Sequence, residues 1–401
     1  MTRSPGRSFA FALASIALVG PLAVHLFLPV IPAVKAALGL SDARAQLTFS
    51  ISLFGMAFAT LAYGSLSDRF GRRPVLLSGL CLFLVGSVIS AAANSLAVLV
   101  AARLVQAIGA GCGTTLVRTI AHDAYGPERL VRAIAYLTMF YTLGPMISPL
   151  VGGVLIDMLG WRSVFGFAFL IGSAITVAAY LAVYETRPRA DPSQSGGSIF
   201  RNYVELFSHV RFTAFVLQTG FSTGAFITMA TASSTLMKEF MNRPSTEFGL
   251  YFLLFPAGLF VGTFLSSRVG ARGATETMVL LGSILSVAAV TVQAIFLLSG
   301  YVTPAAIFLP GFFQTLAQGI ALPYGQAAAM GTIPRIAGTA SGASVFVQYF
   351  CGAVFAQLYG MVADGTPKPM ILITALGSFL CLVAGALPFF LARRASKKVE
   401  M

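Results

Sequence analysis

The chain has 401 residues, a formal net charge of +13 and a mean hydropathy of +0.85; 57% of residues are hydrophobic and 10% charged. A soluble domain carries about 25% charged residues because its surface meets water, so too few are present here to coat a globule. The basic residues are scattered in short breaks between apolar runs, which excludes a nucleic-acid-binding surface.

Membrane-spanning helices need about 20 apolar residues each, and the long apolar runs fit that length. The alternating ten-residue pattern of a membrane barrel is absent, which leaves a helical bundle. Twelve spans are expected, near 9–32, 46–66, 74–94, 96–119, 131–157, 162–184, 212–235, 248–267, 275–298, 303–330, 337–363 and 368–391. The first is too long for a signal-peptide core and reads as a retained helix. The stretch from Glu185 to Arg211, with Pro188, Pro192 and a Ser-Gly-Gly-Ser tract, has linker composition and splits the spans six and six. The expected domains are therefore 1–185, a cytoplasmic linker 186–211, and 212–401.

Orientation follows from the 26 Lys and Arg residues. With the N-terminus inside, only Lys35, Arg44, Arg162, Lys238, Arg243 and Lys368 fall outside, and Arg103 lies within a span. The other nineteen are cytoplasmic, so both termini are expected there. Cys81, Cys112, Cys351 and Cys381 lie inside apolar runs with no Cys-x-x-Cys or Cys/His cluster, so no metal, cofactor or disulfide framework is expected.

The two halves echo each other. Leu66, Ser67, Arg69, Gly71 and Arg73 after the second span recur as Leu265, Ser266, Arg268, Gly270 and Arg272 after the eighth, 199 residues later. A duplicated half places a substrate site near the bilayer midplane, between the repeats.

The segment Gly64 to Arg73 reads Gly-Ser-Leu-Ser-Asp-Arg-Phe-Gly-Arg-Arg. It resembles the loop between helices two and three of the major facilitator superfamily, G-x-L-x-D-R-x-G-R-R, at every fixed position. The resemblance implies an all-α membrane protein of twelve transmembrane helices in two pseudo-symmetric six-helix bundles. It also implies a conformational switch at Gly64, Asp68, Arg69, Gly71, Arg72 and Arg73. Asp68 needs a cation or a helix N-terminus as partner, and the start of the eleventh helix, Gly338 to Gly342, is one candidate. Topology alone could also account for the arginines.

In the fourth span, Arg103 to Gly111 is similar to the superfamily's helix-four motif. Arg103, Gln106, Gly111, Thr114 and Arg118 fall on a stripe of about 140°. An arginine at that depth is expected to face a cavity or a partner rather than lipid. In the fifth span, Gly144-Pro145-Met146-Ile147-Ser148-Pro149, followed by Gly152-Gly153, resembles the motif of antiporter branches. The prolines loosen the helix and the glycines permit close packing. Matches over Arg118 to Asp123, Gly160 to Arg162, and Ile336 to Gly342 extend the likeness to the Bcr/CflA branch of drug-resistance exporters.

That branch carries an Asp in helix one shortly before Leu-Pro-x-x-Pro. Here the segment is Leu28 to Pro32 and His25 stands in the acid's place; no Asp or Glu lies in the middle of any span. A histidine titrates near neutrality and can replace the carboxylate, or can be a hydrogen-bonded structural residue. His25 and Arg103 are the expected proton-coupling pair, with Asp123 next in order. Expected cavity residues are Phe27, Phe54, Gln106, Thr114, Arg118, Tyr141, Phe221, Gln314, Gln318 and Gln348, chosen as polar or aromatic side chains on the spans that border a central cavity.

The resemblance implies a monomeric inner-membrane exporter of small organic compounds or drugs, driven by protons through alternating access, with the lipid bilayer as its surroundings. A proton-coupled symporter of a sugar or other metabolite on the same fold is the alternative. An enzyme would need clustered acids, bases or metal ligands, and His25, His122 and His209 lie far apart. Twelve spans in duplicated halves argue against a receptor or channel.

Overall fold

The computed structural model describes residues 6–186, 199–270, 274–333 and 336–399, and residues 187–198 of the expected linker lie outside them. Among the described residues the chain is helical, without strands. Two compact units separate: Met1–Gln194 with Arg243–Leu250, and Ser195–Asn242 with Tyr251–Met401.

In the first unit the opening span is interrupted. Helices α1 (Arg7–Ala17) and α2 (Val19–His25) run together, the chain turns over residues 26–29, and α3 (Val30–Leu38) follows. The turn bonds Leu28 N–H to His25 O and Val30 N–H to Phe27 O, three residues back. Pro29 and Pro32 have no N–H to give to the preceding turn, which is why the helix breaks here. Then come α4 (Asp42–Phe70), α5 (Arg72–Ala92), α6 (Leu96–Leu159) and α7 (Arg162–Ala182).

The 64-residue run α6 holds two membrane-length stretches, Leu96–Tyr125 and Met139–Leu159. Along α1 and α2 the first stretch meets Ile16 with Gly113 and Ala23 with Arg103, in descending order. The second meets Pro21 with Gly144 and Leu26 with Gly152, in ascending order. The chain therefore reverses inside α6, and both stretches pack on the first span.

The second unit contains α8 (Ile199–Ser208), α9 (Val210–Thr235), α10 (Ser245–Phe252), α11 (Leu254–Val269), α12 (Thr275–Leu298), α13 (Pro304–Thr332), α14 (Ala337–Val362) and α15 (Lys368–Val399), with α10 beginning in the first unit. Its pairings repeat those of the first. The packing of α4 and α5 on α6 returns as α11 and α12 on α13, and that of α5 and α1 on α7 returns as α12 and α9 on α15. The echo of 199 residues is equally regular: α4 ends at Phe70 and α11 at Val269, each followed by a glycine at positive φ, Gly71 (98°) and Gly270 (53°).

Eleven stretches among the described residues are long and apolar enough to cross a membrane. The expected seventh span, α9, has the length, 26 residues or roughly 39 Å, but too many hydroxyls to qualify by hydropathy. Several of those hydroxyls are satisfied locally: Thr219 Oγ1 donates to Val216 O, Thr223 Oγ1 to Thr219 O, and Thr231 Oγ1 to Ile227 O. Two buried polar atoms of α9, Gln218 Oε1 and Thr228 Oγ1, have no hydrogen-bond partner.

Candidate functional site

Arg103 organises the interior of the first unit. Its side chain is 1% exposed. One guanidinium nitrogen donates to Gln106 Oε1 at 2.5 Å, another to Ala23 O at 3.0 Å, and Nε to Thr48 O at 3.3 Å. The guanidinium carbon sits 4.1 Å from the Phe27 ring centroid, a cation–π contact strengthened by the absence of water. Gln106 passes the network on, donating from Nε2 to Ser87 Oγ (2.8 Å), which donates to Phe83 O (2.8 Å). Arg103 therefore reaches the helix-one carbonyl next to the break at residues 26–29, and ties together α2, α4, α5 and α6. Of the two expectations for Arg103, a cavity or a partner, the structure shows partners; Gln106 and Phe27, expected to line a cavity, are buried with it inside the unit. Burial with every donor group engaged is the cheaper solution for a charge at this depth.

His25 is half-buried at the end of α2, and its Nδ1–H donates to Pro21 O at 3.1 Å. Arg103 contacts Ala23 and Phe27, two residues before and two after His25. Thr114 donates to Gly111 O, Phe54 and Tyr141 are half-buried, and Arg118 is exposed.

The segment from Gly64 to Arg73, where α4 ends and α5 begins at Gly71, forms a second polar cluster. Arg72 donates to Asp68 Oδ1 at 2.5 Å, to Ser67 Oγ at 2.6 Å and to Asp123 Oδ2 at 3.0 Å. The Asp123 side chain is 7% exposed and that of Asp68 67%. Arg72 is thus the cation beside Asp68, and it brings Asp123 of α6 to the same loop. Arg69 lies over Phe70, and Arg73 donates to Tyr180 O at 2.9 Å. Gly64 sits in open space, whereas Gly71 combines φ 98° with a position where a Cβ would lie 2.6 Å from Glu185 Oε2.

On the second stretch of α6, Gly144 packs against Pro21 and Gly152 against Leu26 O, so this motif seats the helix on the first span at its break. Pro145 and Pro149 between them remove two helical N–H donors.

The Major Facilitator Superfamily profile matches residues 13–356. The chain belongs to that superfamily. Its relatives include the bicyclomycin resistance protein homolog of Haemophilus influenzae, 24% identical over 95% of both chains. Multidrug resistance protein D of Escherichia coli is 26% identical over 95% of this chain and 96% of its own. Multidrug resistance protein MdtL of Shigella flexneri is 28% identical over 93% and 94%. These names agree with the branch that the sequence motifs resemble. A bacterial homologue of the human lysosomal transporter Spinster superposes with TM-score 0.76 at 18% identity, covering 96% of both chains. A D-xylose–proton symporter does so with TM-score 0.74 at 13%, covering 95% and 96%. The last two share the fold with this major facilitator protein, a multi-pass membrane protein whose family and named relatives are transporters.

In its second unit, Gln218 of α9 donates to Ser283 Oγ on α12 and Cys381 Sγ on α15, each at 3.3 Å. Gln318 donates to Thr223 Oγ1 at 3.4 Å, Gln348 to Ser344 O at 3.1 Å, and Phe221 is half-buried. Gln314 is 3% exposed with Oε1 unpartnered. Sequence reasoning did not find Gln218, nor Glu185, which accepts from the Arg72 and Arg73 N–H groups at 2.9 and 3.2 Å. The available signal for Glu185 was an acid placed at a span end in a chain with only thirteen.

Proposed function

We propose that the protein is a proton-coupled exporter of small organic compounds, working by alternating access in a bacterial inner membrane with both termini cytoplasmic. The observation that carries this reading is the full-length similarity to three drug-resistance proteins, each covering more than nine-tenths of the chain. The asymmetry of Lys and Arg supports the orientation. Both repeats of the fold lie in one polypeptide, so a single chain suffices for transport.

His25 is the proposed proton carrier. Its Nδ1 already holds a hydrogen toward Pro21 O, so Nε2 is the nitrogen that gains and loses the coupling proton. Arg103, buried beside it, supplies a fixed positive field and holds the break in helix one.

Expression in an efflux-deficient bacterial host tests the reading. Tolerance to at least one amphipathic antibiotic or dye should rise several-fold and collapse with a protonophore. Unchanged tolerance across a broad panel, together with proton-driven uptake of a sugar, would establish the symporter alternative.

A further inference from the structure

The segment Arg243–Leu250 belongs by its contacts to the first unit, although the chain on both sides of it belongs to the second. Its seat is the end of α6. Asp157 Oδ1 accepts from Ser245 N–H at 3.2 Å, while Oδ2 accepts from Thr246 N–H and from Thr246 Oγ1, both at 2.8 Å. These are the first N–H groups of α10, which have no helical acceptor of their own and favour an anion. Gly153 meets the same segment so closely that a Cβ there would lie 2.3 Å from Ser245 O. A Cβ on Gly249 would lie 2.4 Å from Leu150 Cα. Leu150, Gly153 and Asp157 are spaced i, i+3 and i+7, one stripe of α6.

The character of this contact is that of a surface made to part. Two glycines give backbone against backbone, so separation uncovers no interlocked side chains. The carboxylate sits at the exposed end of its helix, where water can take over its hydrogen bonds when the segment leaves. The ion pair between Arg243 and Glu247, at 3.6 Å, is internal to the segment and moves with it. Pro145 and Pro149 loosen the α6 stretch beneath.

We propose that Asp157 is a positioning residue for transport: a releasable clamp that caps α10 in one state of the cycle and lets it go in the other. This rests on the alternating-access reading above. The clamp favours the state in which Arg243–Leu250 is docked, so weakening it shifts the protein toward the undocked state.

Ser245 is 5% exposed when docked and is close to cysteine in size, which makes it a reporter. The parent protein would carry Ser245→Cys and Cys81→Ser, purified in lipid nanodiscs so that a maleimide reaches both faces. Labelling should be slow in the parent, at least tenfold faster with Asp157→Ala, and intermediate with Asp157→Asn, which keeps one acceptor oxygen. Wild-type rates in both variants, or rapid labelling of the parent, would overturn the clamp. If the Ala variant does not elute as a single folded species, the Asn variant alone decides between faster and unchanged labelling. The readout needs no substrate, so a failed clamp leaves the drug panel to judge export, and a failed panel leaves the labelling result standing.

Discussion

The carboxylate of Glu185 accepts a hydrogen bond from the backbone N–H of Arg72 at 2.9 Å, across 113 residues of sequence. With its second oxygen on Arg73 N–H, it closes the first turn of α5 from the far end of the six-helix unit. Replacing Glu185 with Ala should cost about 1 kcal/mol, the usual worth of a helix cap. A lower midpoint in thermal unfolding of the detergent-solubilised protein would show it, with Glu185→Gln losing less. An unshifted midpoint in both would mean that water serves the helix end equally well.

Gly64, inside α4, and Gly71, between α4 and α5, should respond differently to alanine. Gly71 combines φ 98° with Glu185 Oε2 in the space a Cβ would need, and Gly64 has open space around it. Backbone strain of this kind costs of order 1–3 kcal/mol. Gly71→Ala should therefore reduce both folded yield and transport, and Gly64→Ala should leave folded yield near wild type. Equal behaviour of the two variants would remove the conformational argument.

Arg103→Ala strips partners from Gln106 Oε1, Ala23 O and Thr48 O at once. Thr48 O keeps its helical donor, but a buried acceptor left unmet, such as Gln106 Oε1, costs about 1–3 kcal/mol, so a reduced folded yield is expected by size-exclusion chromatography. Arg103→Lys keeps the charge but not the planar fork, and should fold with reduced stability. A stable, fully active Ala variant would show that the network is dispensable.

For His25 the measurement is substrate-induced proton release in purified protein. The His25→Asn variant should lose it, and His25→Asp should retain part with its pH dependence moved to lower pH, following the lower intrinsic pKa of a carboxylate. Undiminished release in Asn would assign His25 a structural role and turn attention to Asp123.

The spans, the repeat and its glycine turns were legible because they are local: each is a run or a motif within about ten residues, and Gly71 and Gly270 occupy the echoed positions. Contacts between distant segments were not. Glu185 finds Arg72, and Asp157 finds Ser245 and Thr246, at separations where no periodicity operates. Arg103 is intermediate. A helical wheel gives the stripe it shares with Gln106, but which neighbour faces that stripe depends on packing, and the neighbour proved to be α2, α4 and α5 rather than a cavity. The seventh span has the expected length in α9, and its hydroxyls, several of them bonded back to the α9 backbone, lower its hydropathy below that of the other spans.

The hydroxyl-rich character of α9 bears on how the chain is made. Its threonines and serines make it less apolar than the other spans, so it inserts less readily on its own than they do. Its main neighbours are α14 and α15, the last helices to be synthesised. During biogenesis α9 is therefore expected to reach its final seat only when the C-terminal pair arrives to enclose it. Chains shortened before Ala337 should leave this one segment accessible to proteases, while α1 to α7, made earlier in the chain, insert and resist digestion.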